Sequence, residues 1–168
     1  MAQIECFAPI ADEHTQILIL GSMPGEESLK QGRYYANDRN SFWKIMGKIF
    51  EFDPQDHDHD REKVLLRKRV GLWDVLKSCD RQGSTDAAIK DEDINDFARF
   101  FAGHPAIRRV CLNGAKAADL FEKRVSPPLA GTYRLDLRRL PSTSPAHAMK
   151  FDAKLAEWKN AMQLKPGA

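Results

Sequence analysis

The sequence predicts an α/β domain in which a mainly parallel sheet carries helices on both faces. Short apolar runs that stop abruptly at Gly, Asn or Pro alternate with stretches of helical periodicity along the whole chain. No repeat, low-complexity tract or interdomain linker interrupts that alternation, so residues 1–168 read as one domain. A chain of 168 residues also buries about 70% of the surface its unfolded form exposes, enough for a full core without staples.

The first strand is Gln16-Ile-Leu-Ile-Leu20, which runs into the tight loop Gly21-Ser-Met-Pro-Gly25. Glu26 to Lys30 can begin a helix, although Gly32 and the Tyr34-Tyr35 pair favour more loop. Phe42, Trp43, Ile45, Met46, Ile49 and Phe50 recur at spacings of three and four, which predicts an amphipathic helix over 41–51. Glu51 to Asp60 is acidic, contains Pro54 and reads as loop. Its Asp56-His-Asp-His-Asp60 stretch has ligand-type side chains, but nothing around it suggests a strand that would turn them to one side, so a solvated loop is expected. Residues 60–69 read as a helix with Val64 and Leu65 inward and Arg67, Lys68 and Arg69 outward.

Gly71 to Leu76 reads as a buried apolar segment and Arg81 to Asp86 as a polar loop. Ile94, Phe97, Phe100 and Phe101 predict a helix over about 91–102, broken by Gly103-His-Pro105. Arg108 to Leu112 is a second strand, ending at Asn113-Gly114, and Ala115 to Glu122 a helix that Pro127-Pro128 closes off. Arg134 to Leu140 alternates as a third strand and ends at Pro141-Ser-Thr-Ser-Pro145. A last helix over about 149–162 places Leu155, Trp158 and Met162 on one side. In an open parallel sheet, ligands bind beyond the carboxyl ends of the strands. The three punctuated ends, Gly21–Gly25, Asn113-Gly114 and Pro141–Pro145, are therefore expected to converge on one edge.

Composition excludes several classes. With 42% hydrophobic and 30% charged residues the chain is neither disordered nor membrane-spanning, and its longest apolar run, Ile17 to Leu20, is far short of a bilayer span. The first 20 residues hold Glu5, Asp12 and Glu13 and no basic cluster, so no secretory signal is expected and the protein is expected in the cytoplasm. Cys6, Cys79 and Cys111 are odd in number and form no CxxC pair, which argues against a disulfide framework, a zinc ribbon or an iron–sulfur cluster. The net charge of +2 is unevenly spread. Residues 1–98 carry 13 Lys and Arg against 19 Asp and Glu, a balance of −6, whereas residues 99–168 carry 13 against 5, a balance of +8. A basic half is compatible with a phosphate backbone as partner. The chain lacks a GxSxG elbow, and its first loop lacks a P-loop lysine, so serine-hydrolase and P-loop chemistry find no support.

The strand-end motifs have a family likeness. Gly21-Ser-Met-Pro-Gly25, Tyr34-Tyr-Ala36, Asn40-Ser-Phe-Trp43, Leu112-Asn-Gly114 and Leu140-Pro-Ser-Thr-Ser-Pro-Ala146, in this order, resemble the uracil-DNA glycosylase superfamily, and within it the hypoxanthine-DNA (DNA-deoxyinosine) glycosylase family. The resemblance runs from about Ile17 to Ala148. It implies a three-layer α/β/α sandwich around a central, mainly parallel four-stranded sheet. It also implies a monofunctional enzyme, acting as a monomer on DNA, that hydrolyses the N-glycosidic bond of a flipped-out deaminated base and leaves an abasic site. Hypoxanthine is the expected base, uracil the alternative, and a non-catalytic damage binder of the same fold the rival; no metal, cofactor or membrane is implied.

Two positions depart from the superfamily pattern. Met23 stands where an Asp or Asn usually positions the attacking water, and Leu140 where a histidine steadies the leaving base in the uracil enzymes. The resemblance therefore shifts the catalytic role to Asn40, whose amide can hold a water through its carbonyl oxygen while donating elsewhere. The same residue suits a helix cap, and the two roles are compatible. Tyr35 matches the base-stacking platform, with one of Tyr34 and Tyr35 expected to be structural. Asn113 matches a base-reading asparagine, although Asn-Gly is also a common turn. Gly21, Ser22, Met23, Pro24 and Gly25 form a loop expected to contact the base, its backbone N–H donors stabilising charge there. Pro141, Ser142, Thr143, Ser144, Pro145 and His147 resemble the loop that pinches the DNA backbone, with His147 able to fill the gap beside the small Ala146. Arg138, Arg139 and Lys150 are expected to add attraction for phosphate.

Overall fold

The computed structural model describes residues 3–55 and 60–164. In chain order the elements are β1 (Gln3–Glu5), β2 (Ile17–Gly21), α1 (Glu26–Gln31), α2 (Phe42–Phe50), α3 (Asp60–Arg67), β3 (Val70–Asp74), β4 (Leu76–Asp80), β5 (Lys90–Ile94), α4 (Phe97–Gly103), β6 (Arg109–Asn113), α5 (Ala115–Leu120), α6 (Ser126–Leu129), β7 (Asp136–Leu140) and α7 (Phe151–Ala161). Four parallel strands lie in the order β3-β2-β6-β7.

β2 is buried along its whole length, which is why it reads as an unbroken apolar run rather than an alternating one. Its side chains divide by the period of two. Leu18 and Leu20 join Phe97, Phe101, Val110, Leu112, Ala117 and Phe121 on one face, while Ile17 and Ile19 join Phe42, Trp43, Ile45, Leu65 and Trp158 on the other. Each such side chain contributes roughly 1.5–3 kcal/mol by leaving water. Helices α2 and α3, between β2 and β3, thus cover one face, and α5, between β6 and β7, covers the opposite one. The chain changes face between β2 and β6, which opens a crevice at their carboxyl ends. The expected three-layer sandwich with a four-stranded parallel sheet is what the structure has.

The fourth strand of that sheet is β3, cut from the segment read only as buried and apolar. A second sheet was not foreseen: β1, β4 and β5 form a three-stranded antiparallel sheet in the order β1-β4-β5. The helix expected over 91–102 starts only at Phe97, capped by the Asp96 carboxylate, which accepts from the Arg99 amide at 3.1 Å. Ile94 belongs to β5 and pairs with Leu76, so its helical spacing from Phe97 is accidental. Pro127-Pro128 also does not end the helical run: after α5 the chain makes a π-turn over Phe121–Val125 and continues as α6, with the prolines in its first turn, where no amide donor is needed. The 60–69 helix stops at Arg67, and Arg69 takes a left-handed φ of 64°. The Asp56–Asp60 acidic stretch lies outside the described residues, apart from the backbone of Asp60.

Arg109 fastens the last helix to the sheet. It is 8% exposed, its Nε donates to Asp136 Oδ2 at 2.9 Å, and its Nη1 donates to the carbonyls of Ala161 at 2.8 Å and Gln163 at 2.7 Å. Arg138 pairs with the same carboxylate from the surface. Arg109→Ala strands two carbonyls and is expected to cost about 2–4 kcal/mol, whereas Arg138→Ala is expected to stay within about 0.5 kcal/mol. Urea midpoints of the two variants check this, and equal losses would remove the anchoring role.

Candidate active site

The carboxyl ends of β2, β3 and β6, with the loop that follows β7, enclose a cleft of about 470 Å³. Gly21, Ser22, Met23, Pro24, Gly25, Tyr35, Asn40, Asn113, Ser142, Thr143, Ser144, Pro145 and His147 all line it. Of the residues predicted for the site only Pro141 stands outside; its carbonyl accepts from Trp158 Nε1 at 3.0 Å and ties the loop to α7. The convergence expected from three strand ends is therefore what the fold produces.

Asn40 lies just before α2. Its Oδ1 accepts from the Phe42 amide at 3.0 Å, so it orders the first turn of the helix from one residue ahead of Ser41, which holds the N-cap position. That bond uses one lone pair and fixes the amide; the second lone pair and the Nδ2 hydrogens remain for a water or a substrate atom. Helix order and presentation of an amide to the cleft thus coexist at this residue.

The two tyrosines have different surroundings. Tyr34 is 6% exposed and donates its hydroxyl to the Ala8 carbonyl at 2.8 Å. Tyr35 takes a left-handed φ of 52° and lays its ring on Phe42, with centroids 4.0 Å apart and planes 19° from parallel. Burial pushes its phenol above the usual range, so the hydroxyl stays neutral.

Asn113, at the end of β6, bridges to both neighbours. Its Oδ1 accepts from the Thr143 amide at 3.0 Å, while Nδ2 donates to Thr143 Oγ1 at 3.0 Å and to the Tyr35 hydroxyl at 3.2 Å. A backbone amide can only donate, so these partners fix which end of the Asn113 side chain is oxygen. Both Nδ2 hydrogens are engaged, and one Oδ1 lone pair is left. Gly114 follows at φ +94°, where a Cβ would stand 3.1 Å from that of Ser142. Only glycine lets the loop pass so close with that backbone angle.

Sequence reasoning missed one side chain at the bottom of the cleft. Asp74 ends β3, is 4% exposed, and its Oδ2 is buried without a hydrogen-bond partner. A Cβ on Gly21 would lie 2.8 Å from Asp74 Oδ1 and 3.3 Å from the Tyr35 hydroxyl, so the absence of a side chain there is what admits both groups. Burial pushes the carboxyl up to about 7; the Arg81 guanidinium pulls it back, and Asp86 adds to the rise. The signal was present: Asp74 closes an apolar run at a fourth strand end. The segment had not been recognised as a strand.

The loop between β4 and β5 also reaches the cleft. Ser22 Oγ donates to Asp86 Oδ1 at 2.6 Å, the Glu26 amide donates to Ser84 Oγ at 2.9 Å, and buried Arg81 donates to the Gly83 and Pro24 carbonyls. These bonds hold the loop against Gly21–Gly25.

The sequence model of the uracil DNA glycosylase superfamily matches residues 8–164. The chain belongs to this superfamily. Two curated relatives are named hypoxanthine DNA glycosylase. The one from Methanosarcina acetivorans is 38% identical over 154 residues, covering 91% of this chain and 94% of its own. The one from Methanosarcina barkeri is 34% identical over 158 residues, covering 94% and 96%. The chain is also similar to a solution NMR structure of a candidate uracil DNA glycosylase from M. acetivorans, at a TM-score of 0.82 and 35% identity over 96% of this chain and 97% of that one.

In this superfamily member the two departures from the pattern are apolar and buried: Met23 is 7% and Leu140 9% exposed, each within a core cluster. Arg138 pairs through Nε with Asp136, and Arg139 pairs with Asp119 and Glu122, so part of the charge expected to attract phosphate is shared with surface carboxylates. Lys150 is exposed at the N-cap of α7. Lys154, a turn later, is 4% exposed and donates to the Ser144 carbonyl at 3.4 Å from beneath the loop.

The Asp74 carboxyl couples site and stability. Its folded value, about 7, exceeds its ordinary 3.8, so the protonated form adds stability that is full below about 3.8 and lost as pH rises through about 7. Asp74→Asn, which does not titrate, is expected to melt higher than the parent at pH 8, by up to a few kcal/mol, and to match it near pH 4. Thermal melts at the two pH values check this; a difference that ignores pH would place the titration elsewhere.

Proposed function

We propose that this chain is a monofunctional DNA glycosylase, acting as a single-domain monomer in the cytoplasm. It hydrolyses the N-glycosidic bond of a deaminated base, hypoxanthine foremost and uracil second, and leaves an abasic site. The observation that carries this is the convergence of Asn40, Tyr35, Asn113 and the 142–147 loop on one base-sized cleft at the strand ends of a superfamily member. The relatives named for hypoxanthine support the choice of base. Free Cys6, Cys79 and Cys111 suit a reducing compartment.

The target base lies out of reach inside the stack, so it is extruded at a cost of a few kcal/mol, lowest where it is mispaired. Tyr35, backed by Phe42, offers a flat face for it, worth roughly 1–3 kcal/mol for stacking. The lone pair left on Asn113 Oδ1 matches the lactam N–H that hypoxanthine and uracil share. Because Tyr35 and Thr143 hold the Nδ2 hydrogens, the amide presents an acceptor only. Bond cleavage passes through an oxocarbenium-like state, and water held by Asn40 attacks C1′. The 142–147 loop grips the backbone with its hydroxyls, which position the duplex without reading sequence.

Met23 and Leu140, apolar where relatives of the uracil type carry catalytic groups, favour one rival: a damage binder of the same fold without hydrolysis. Single-turnover cleavage of end-labelled duplexes carrying one inosine, uracil or thymine, developed with alkali, separates the readings. Cut product at inosine, reduced about 100-fold or more in Asn40→Ala, is expected. Cutting at uracil alone would change the base and keep the class; tight binding of damaged duplex without cutting would establish the binder.

A further inference from the structure

In the proposed mechanism the backbone donors of the Gly21–Gly25 loop face the negative charge that the base takes up as it leaves, but no side chain yet gives it a proton. Leu140 is an apolar core residue and has no proton to offer. Among the described residues, Asp74 is the one cleft-lining carboxyl with an oxygen buried without a partner, and burying an unpaired polar atom costs about 1–3 kcal/mol unless a ligand completes it. We propose that Asp74 is the catalytic acid for the leaving base: its neutral carboxyl donates a hydrogen bond to the exocyclic oxygen of the lactam and stabilises the departing anion. The inference rests on the glycosylase reading above and adds the residue that selects and discharges the base.

Several features of the site argue for the acid rather than the carboxylate. The groups around Asp74 are Asp86 and Arg81 on the 81–86 loop, the Tyr35 hydroxyl, and, farther off, Tyr34 and Cys6. Only Arg81 is cationic, and its bonds go to the Gly83 and Pro24 carbonyls rather than to Asp74. A carboxylate would repel a departing anion and offer only acceptors to the base. The acid offers one donor, and the lactam oxygen takes it while the neighbouring N–H faces the acceptor on Asn113. Burial holds the proton on Asp74 up to about neutral pH.

The step balances without a further reactant. The bond from C1′ to the base nitrogen breaks and its electron pair goes to the base, whose charge spreads onto the exocyclic oxygen. Water oxygen forms the new bond to C1′. The base leaves with the Asp74 proton, and the proton released by the water restores Asp74 through solvent.

The test is the pH dependence of single-turnover excision from an inosine duplex at saturating enzyme, between pH 6 and pH 8, where the lactam keeps its own proton. The rate of the parent protein is expected to fall about tenfold across this range. Asp74→Asn keeps a donor, an acceptor and the shape, so its rate is expected to be level across it. Asp74→Leu is expected to lose about 100-fold or more at both ends, with circular dichroism to confirm folding. A fall that persists in Asp74→Asn assigns the titration to another group and overturns the proposal. A rate that rises with pH and vanishes in Asp74→Asn makes Asp74 a base for water and overturns it too. Free hypoxanthine, titrated by calorimetry, reads the same contact without chemistry. Its binding is expected to weaken about tenfold from pH 6 to pH 8 in the parent and to stay level in Asp74→Asn. Binding that shows this pattern without any excision would sink the glycosylase reading alone, and pH-independent or absent binding would sink the role of Asp74.

Discussion

The cleft depends on the side-chain amide of Asn113. Three hydrogen bonds from this one group join the end of β6 to the Thr143 backbone, to the Thr143 hydroxyl and to the ring that floors the cleft. Thr143, 1% exposed, in turn accepts from the Ser41 amide at 3.0 Å and so fixes the start of α2, where Asn40 sits. The end of β6, the Tyr35 ring, the start of α2 beside Asn40 and the loop at Thr143 are thereby one hydrogen-bonded unit. The sheet alone would bring these segments near one another; the amide sets their distances. Each bond is worth only about 1 kcal/mol net, but all three share one rigid donor–acceptor group, so losing it releases the whole arrangement.

Set against this satisfied network, Asp74 is an anomaly. A few ångströms from Asn113's partners, the fold buries a carboxyl and gives Oδ2 nothing. It even makes room for it, since Gly21 avoids a contact of 2.8 Å that a side chain would impose. A purely structural position would be more stable with an apolar residue of similar size. Stability given up at a cleft by burying an unpartnered carboxyl oxygen is the mark of a group waiting for a ligand.

How much of this the sequence disclosed follows from the range of the interactions. Residues Ile17–Leu20 and Arg109–Leu112 were legible as strands because a parallel strand buried on both faces has no choice but to be apolar. Their ends were legible because Gly, Asn and Pro mark abrupt turns. Asn40, Tyr35 and the 141–147 loop were reached through motif likeness, and the structure brings them to one place. The second sheet was not legible: β4 reads Leu-Lys-Ser-Cys-Asp and β5 Lys-Asp-Glu-Asp-Ile, half-exposed polar strands with no apolar run to announce them. The bond from Ser22 to Asp86 spans 64 residues and that from Arg81 to Pro24 spans 57, and no local pattern encodes such pairings. The surface partners of Arg139 were hidden for the same reason: Asp119 and Glu122 lie 20 and 17 residues before it in the chain.

That pairing changes the electrostatic argument for DNA. Part of the excess charge of the second half of the chain is shared with surface carboxylates, and the cleft itself is lined by Glu26, Glu27, Asp74 and Asp86, with no lysine or arginine among the described residues of its walls. Phosphates must come close to those walls for a base to enter. An ionised Asp74 would add a charge of the wrong sign at the deepest point, in the least screening surroundings. In the proposed mechanism, Asp74 protonated by its burial adds none, and the approach of the duplex is left to hydroxyls and to exposed Lys150. On that reading the burial that makes Asp74 costly to the fold serves the site in two ways: an acidic cleft can admit a polyanion, and a proton stands where the base departs.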